Sequence, residues 1–292
     1  MQAALCHTAF DAGITQFDLA NNYGPPYGMA ETNAGRILKE DFLSYRDELV
    51  IAQKAGYDMW EGPYGNWGSK KYLTASLDQS LKRLGLEYVD IFYHQRMDPA
   101  TPLEETMEAL TQIVRSGKAL YAGISNYDKI YTEKAVAVMS KLRCPLIVNQ
   151  RRYSIFDRTI EEGVKRFGRQ AGMGIIAFSP LAQGLLTDKF LRGIPEDGRI
   201  AGDIRYIDRN ALTPELLGQI GELNKIAAER GRSLLKQSGW LRCHKSYVVN
   251  IYQIKEIYPR FNSTFNVRTR GCEEEIPISR TYVKVVKGAL GM

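Results

Sequence analysis

The stretch ITQFDLANNYGPPYG, residues 14–28, determines how the rest of the chain is interpreted. Its first half is a short apolar run that ends at Asp18, and its second half is a loop rich in glycine and proline that follows Tyr23. This pattern predicts a strand that runs into a loop, with a carboxylate and a phenol near the carboxyl end of the strand. In barrels of alternating strands and helices, the chemistry takes place at that end of the strands.

A lysine ends the next predicted strand, residues 49–54, which reads LVIAQK. A nearby ammonium stabilises a phenolate and lowers the phenol pKa from its usual value of about 10, and a carboxylate can hold that ammonium in place. Asp18, Tyr23 and Lys54 are therefore predicted to form a catalytic group in which the tyrosine is a general acid. Such an acid is suited to protonating a carbonyl oxygen while hydride reaches the carbonyl carbon.

Several motifs resemble those of the aldo-keto reductases, particularly the bacterial L-glyceraldehyde 3-phosphate reductase-like branch that is related to potassium-channel beta subunits. The resemblance covers residues 3–233 and implies a TIM-type (β/α)8 barrel that reduces a small aldehyde or ketone with NADPH. Asp18, Tyr23 and Lys54 match three members of the family's catalytic tetrad. The motifs are FDLANNYG (17–24), QKAGYDMW (53–60), LDQSLKRLGLEYVDIFYHQRMD (77–98) and GISNY (123–127).

The fourth tetrad position departs from the family pattern. In the family a histidine directly precedes an arginine, whereas this chain has Gln95 before Arg96 and has His94 one residue earlier. Because side chains alternate along a strand, His94 is expected to face away from Gln95 unless a bulge intervenes. A glutamine amide can donate a hydrogen bond but cannot titrate, so we expect Gln95 to give a weakened or altered catalytic site.

The resemblance also implies an NADP(H) site at the ends of the later strands. Ser125 and Asn126 would hydrogen-bond the nicotinamide carboxamide, Gln150 would assist them, and Phe178 would stack on the nicotinamide ring. Small polar residues at strand ends are also typical of simple caps, so the assignment depends on the resemblance. The residues expected near the pyrophosphate are Ser179, Leu181 and Gln183.

Only part of a barrel is predicted. Six strands can be counted, and the family's first and eighth strands have no counterpart in the sequence. The predicted fold class is therefore α/β, an incomplete TIM (β/α)8 barrel with about six of eight strands over residues 1–233, followed by a small β-rich segment over residues 234–292. Closure needs eight strands, and an open sheet leaves two edges that favour self-association, so the sequence leaves the oligomeric state open.

The C-terminal segment carries the whole excess of positive charge. Residues 234–292 contain 10 basic and 4 acidic residues, whereas residues 1–233 contain 29 of each. The lines RCHKSYVVN (242–250) and PISRTYVKVVK (277–287) resemble the second half of a LytTR-type DNA-binding domain. By that resemblance Lys245 and Arg280 would contact DNA, through phosphate or a guanine edge.

Three interpretations are compatible with these sequence patterns. The chain could be a carbonyl reductase impaired by Gln95 and by missing strands, or a DNA-binding regulator that acts through its basic tail. It could also be a non-functional chimera of two gene fragments, because both patterns are interrupted at residues 234–239 without a linker.

Composition predicts a cytoplasmic protein that binds neither membrane nor metal. No apolar run approaches the roughly 20 residues that a membrane span needs. The four cysteines lack paired spacing and the chain has only three histidines, so no disulfide framework or zinc pattern is predicted.

Overall fold

The computed structural model divides into two compact units, residues 1–179 and residues 180–292, which are described separately. The structure describes residues 2–187, 190–191, 212–229, 240–244, 247–250, 254–260, 264–269, 275–278, 283, 286, 287 and 290.

Helices and strands alternate through the first unit. Its helices are α1 (Gln2–Asp11), α2 (Met29–Ile37), α3 (Lys70–Leu84), α4 (Leu103–Arg115), α5 (Lys129–Lys141) and α6 (Val164–Gln170). Its strands are β1 (Gln16–Asp18), β2 (Val50–Ala55), β3 (Val89–His94), β4 (Ala119–Ser125), β5 (Leu146–Arg152) and β6 (Gly174–Phe178). A π-helical turn (Leu38–Phe42) and 3-10 turns (Leu43–Glu48, Thr159–Glu162) complete the unit.

The six strands form one parallel sheet in chain order, β1 to β6, within the described part of the chain. The sheet curls into a half-barrel with helices on its convex side. The predicted fold class, an incomplete α/β barrel with six strands, is confirmed. Parallel pairing also brings the carboxyl ends of all six strands to one edge, where the predicted catalytic and cofactor residues follow one another.

Local sequence explains where helix α3 begins and ends. The Ser69 side chain accepts a hydrogen bond from the Tyr72 backbone N–H, and Gly85 ends the helix in the left-handed conformation, with φ of 66°. Between them, one apolar stripe faces the sheet and is buried: Leu73, Leu77, Leu81 and Leu84.

Two apolar clusters lie on opposite faces of the sheet. The larger contains side chains from helices α3, α4 and α5, and from the strand faces that point toward them. The smaller is made only of strand residues and therefore lines the concave face; its buried members are Ala52, Ile91, Tyr93 and Val148. Alternation along β2 places Lys54 on the same concave face as Ala52.

The second unit contains helix α7 (Pro214–Glu229) and two small antiparallel sheets. One sheet pairs β7 (Trp240–His244) with β8 (Tyr247–Asn250). The other is formed by β9 (Ile254–Arg260), β10 (Thr264–Thr269) and β11 (Ile276–Ile278), in the order β11–β10–β9. Val267, Ile278 and Val286 form the core beside the three-stranded sheet. The predicted β-rich C-terminal segment is confirmed.

The predicted domain boundary at residues 233 and 234 lies outside the described residues. Among the helices that the structure describes, none has the length and apolar character needed to cross a membrane.

Candidate active site

Asp18 and Lys54 form an ion pair at the carboxyl ends of strands β1 and β2. Lys54 Nζ lies 2.5 Å from Asp18 Oδ2, and the lysine side chain is 1% exposed while the aspartate side chain is 33% exposed. Burial lowers the pKa of Lys54, and the charge and hydrogen bond of Asp18 oppose that effect. The carboxylate therefore partly offsets the preference for the neutral amine that burial creates at Lys54.

Tyr23 lies beside this pair in the loop between β1 and α2. The Lys54 ammonium is 5.5 Å from the centroid of the Tyr23 ring. The backbone of the tyrosine is held by hydrogen bonds at both of its polar groups, from its N–H to Ala20 O and from Ala30 N–H to its carbonyl. The residue is 38% exposed, and its ring faces the buried ammonium.

Gln95 follows the end of β3 and is almost fully buried. Its backbone N–H donates to Ala55 O at 2.8 Å, and its carbonyl accepts a hydrogen bond from Asn126 Nδ2 at 3.0 Å. Its side-chain oxygen is buried and has no hydrogen-bond partner among the described residues. Gln95 therefore carries an amide oxygen, near the carboxyl end of β3, that is free to accept a further hydrogen bond as far as the described residues are concerned.

His94 lies on the helix side of β3. Its Nδ1 is 2.6 Å from the Tyr127 hydroxyl, and its ring fills the space beside Gly68. Burial lowers the pKa of His94 to about 4, so the imidazole is neutral near pH 7. This orientation agrees with the strand alternation, and it leaves Gln95 rather than His94 at the edge that carries Lys54.

A hydrogen-bond chain links the ends of non-adjacent strands. Gln150 Nε2 on β5 donates to Asp18 Oδ2 at 3.2 Å, across the concave face from β1. Asn126 N–H donates to the Gln150 carbonyl at 3.0 Å, and Asn126 Nδ2 also donates to Ser125 Oγ at 3.3 Å. The structure thus brings Ser125, Asn126 and Gln150 together with the Asp18–Lys54 pair.

The last predicted cofactor residues lie at and after the end of β6. The Phe178 ring has the Arg152 guanidinium 5.8 Å from its centroid, and Ser179 follows in the left-handed conformation, with φ of 51°. Leu181 and Gln183 belong to the second unit, where Leu181 O accepts hydrogen bonds from Gly184 and Leu186. The predicted DNA-contacting residues, Lys245 and Arg280, lie outside the described residues.

Tyr93 is a site residue that sequence reasoning missed. It is directly opposite Lys54 in the β2–β3 register, and the Lys54 ammonium is 5.7 Å from its ring centroid. The lysine is therefore flanked by the rings of Tyr23 and Tyr93. Burial raises the pKa of the Tyr93 phenol, so this tyrosine stays protonated beside the ion pair. The alternation that separates His94 from Gln95 also places Tyr93 on the Gln95 side, which is the signal that could have found it.

Residues 1–237 match the Aldo/keto reductase family, and residues 230–291 match the LytTr DNA-binding domain. The two matches overlap at residues 230–237, next to the point where the sequence patterns change.

Individual relatives match between 76% and 82% of the chain. An L-glyceraldehyde 3-phosphate reductase from Escherichia coli strain K12 is 53% identical over 245 residues, which are 82% of this chain and 71% of that protein. A putative voltage-gated potassium channel subunit beta from Schizosaccharomyces pombe is 35% identical over 76% of this chain and 66% of its own length. The aldo-keto reductase YhdN from Bacillus subtilis is 30% identical over 78% of this chain and 66% of its own length.

The fold, the residues at the strand ends and the sequence relatives all indicate the same protein family. Aldo-keto reductases generally use NAD(P)H, in keeping with the polar residues at the ends of β4 and β5. With a family match over most of its length and a reductase relative at 53% identity, the chain belongs to the aldo/keto reductase family of oxidoreductases that act on carbonyl groups.

Proposed function

We propose that this chain is an NADPH-dependent aldo-keto reductase that reduces a small aldehyde or ketone. The observation that carries the proposal is the placement of the Lys54 ammonium, 2.5 Å from the Asp18 carboxylate and 5.5 Å from the Tyr23 ring centroid. An accessible phenol beside a buried ammonium is the arrangement that makes tyrosine a usable proton donor near neutral pH.

Each residue has a distinct part in the proposed reaction. The reduced nicotinamide, when bound, supplies a hydride to the carbonyl carbon. Tyr23 gives its hydroxyl proton to the carbonyl oxygen, which becomes the alcohol, and the resulting phenolate is stabilised by Lys54. Asp18 holds Lys54 in its charged form. Gln95 takes the place of the family histidine and orients the carbonyl oxygen through its amide N–H.

The side chains at the later strand ends support the choice of cofactor. A carboxamide both donates and accepts hydrogen bonds, and Ser125, Asn126 and Gln150 offer a hydroxyl and two amides at neighbouring strand ends. Phe178 offers an aromatic face to the nicotinamide, and the family resemblance implies that Ser179, Leu181 and Gln183 lie near the pyrophosphate. The preference for NADPH over NADH and the small carbonyl substrate follow the resemblance to reductases, one of which is named for a phosphorylated aldehyde.

A second candidate function is DNA binding by the C-terminal segment. The match of residues 230–291 to the LytTr DNA-binding domain favours it, as does the location of the net positive charge. We assign residues 1–233 to the reductase and 234–292 to a partial DNA-binding segment, with Lys245 and Arg280 as contacts. A third possibility is that two gene fragments were joined and neither part functions.

Titration of the purified chain with NADPH separates the three candidates. Saturable binding, followed by nucleotide fluorescence, is expected to raise the melting temperature, because a ligand that binds only the folded state stabilises it. A cooperatively unfolding protein that binds no NADPH would contradict the reductase proposal and leave DNA binding as the better candidate. Absence of both binding and cooperative unfolding would favour the joined fragments.

Replacing Gln95 with histidine is expected to raise kcat for carbonyl reduction. An imidazole whose hydrogen bond to the developing charge is about 1.4 kcal/mol stronger than that of the neutral amide would raise kcat roughly 10-fold. Steady-state kinetics with NADPH and a small aldehyde would measure it. Gln95→Leu is the matched control, because it removes the amide without adding an imidazole and should give no increase. An unchanged kcat in Gln95→His would show that Gln95 does not limit turnover.

A further inference from the structure

A cavity of about 620 Å³ lies between two loops that follow β1 and β2. Tyr27 contributes from the first loop, and the other lining residues all come from the stretch 58–67. None of the catalytic or cofactor residues assigned above lines it. The lining residues are Tyr27, Asp58, Met59, Trp60, Glu61, Gly62, Pro63, Asn66 and Trp67.

The lining combines aromatic rings with carboxylates. Three of its side chains are aromatic, Tyr27, Trp60 and Trp67, and two are acidic, Asp58 and Glu61. None of the described residues that line the cavity is a lysine or an arginine. Aromatic faces attract cations through the ring quadrupole, and carboxylates attract them through charge, so both parts of the lining favour a positively charged ligand.

Cations already sit on the aromatic side chains of the same loop. The Arg96 guanidinium lies 3.7 Å from the Trp67 ring centroid and 4.2 Å from that of Tyr57. The Lys71 ammonium lies 4.3 Å from the Tyr64 ring centroid. Of the other two aromatic residues of the lining, Tyr27 is half exposed, and Trp60 is partly buried with its ring centroid 5.1 Å from that of Tyr72. The segment therefore has the composition and the geometry of a surface on which cations stack.

The loop is held in place by its own hydrogen bonds. Met59 N–H donates to Gly65 O at 2.9 Å, and Asn66 Nδ2 donates to the Asp58 carboxylate. Arg96 uses two of its donors on the loop, Nε to Gly56 O and Nη2 to Asn66 Oδ1, each at 2.7 Å. Because these contacts fix the backbone, little ordering remains for a ligand to impose.

We propose that this cavity binds a small organic cation, such as a quaternary ammonium group, against Tyr27 and Trp60 with Glu61 as its counter-charge. A methylated ammonium suits the site better than a metal ion or a primary amine, because it presents apolar methyl groups to the rings and keeps its charge without needing hydrogen-bond acceptors.

Choline is a suitable probe, and 3,3-dimethylbutan-1-ol is its neutral carbon isostere. Two of the three tryptophans of the chain line the cavity, so tryptophan fluorescence reports on its occupancy. At constant ionic strength, choline is expected to change the fluorescence saturably, with an affinity at least about fivefold higher than that of the neutral alcohol. Equal affinities, or no saturation by choline, would overturn the proposal.

Matched variants locate the site. Glu61→Gln should lower the affinity for choline about fivefold and leave that for the neutral alcohol unchanged, since it removes charge at constant shape. Tyr27→Leu should act in the same direction, and Tyr27 is half exposed, so its loss does not open the core. Glu108→Gln on α4, an exposed carboxylate outside the lining, is the control for overall charge. A loss in Glu108→Gln equal to that in Glu61→Gln would overturn the proposal. The titration contains neither NADPH nor a carbonyl compound, so its outcome is independent of the reductase proposal.

Discussion

Tyr23→Phe is expected to lower kcat for carbonyl reduction by a factor of at least about 100, the lower end of what a positioned general acid contributes. The change removes one oxygen and keeps the ring that faces the Lys54 ammonium. The proton for the carbonyl oxygen must then come from water or from a poorly placed donor. Because Tyr23 is partly exposed, the loss of its hydroxyl should not destabilise the fold. Single-turnover measurement of NADPH oxidation with a small aldehyde would isolate the chemical step.

The binding of NADPH should be the same in Tyr23→Phe and in the original chain, which separates a chemical defect from a folding defect. Tyr45→Phe is the matched control, because Tyr45 is also partly exposed but lies on the helix side of the sheet, where its ring packs against Phe10. It should retain full activity. A turnover rate in Tyr23→Phe equal to that of the original chain would remove Tyr23 from the mechanism.

The residues at the strand ends could be predicted from the sequence because the pattern of neighbouring residues shows where each strand ends. Asp18 and Lys54 each end an apolar run, and a glycine-containing loop follows each of them, so a parallel arrangement was enough to predict that they lie together. Alternation along one strand was likewise enough to separate His94 from Gln95. These features depend on a few neighbouring residues, and the resemblance to a barrel family supplied the order of the strands.

Contacts between strands or layers could not be predicted in this way. Tyr93 is a site residue because it is paired with Lys54 in the β2–β3 register, which depends on how two strands are aligned. The hydrogen bond from Gln150 to Asp18 joins residues 132 positions apart, and it depends on how strongly the sheet curls. The family resemblance implied a role for Gln150 toward the cofactor, and nothing near it in the chain indicates a carboxylate partner.

A buried polar network between α2, β2 and α3 is another set of contacts that the sequence patterns did not predict. Disrupting it is expected to have a large effect on stability. Glu31 on α2 is fully buried, and it accepts hydrogen bonds from Gln53 Nε2 and, at 2.5 Å, from Arg83 Nε. Gln53 Nε2 also donates to Ser80 Oγ at 2.9 Å. Burial raises the pKa of Glu31, while hydrogen bonds from Ser80 and Arg83 and the charge of Arg83 lower it.

Arg83→Met is therefore expected to lower the free energy of unfolding of the first unit by about 3 kcal/mol or more at pH 7.5, because it leaves a buried carboxylate without its counter-charge. Methionine keeps most of the aliphatic contact of the arginine. Urea unfolding followed by the fluorescence of Trp60 and Trp67, which both lie in the first unit, would measure the change. Lys82→Met is the matched control, since Lys82 is the exposed neighbour on the same helix and its loss should change stability by less than about 0.5 kcal/mol.

The pH dependence of the Arg83→Met defect tests whether the buried charge is its cause. Without Arg83 the pKa of Glu31 in the folded state should lie further above its value in the unfolded chain. The folded state then binds more protons than the unfolded state between those two pKa values, so stability falls as pH rises through that window. The defect should be largest above the folded-state pKa of Glu31 and should shrink as the pH is lowered through that window, because the buried carboxyl then becomes neutral. A defect that stays constant or grows as the pH falls would mean that lost packing, and not an unpaired carboxylate, accounts for the destabilisation.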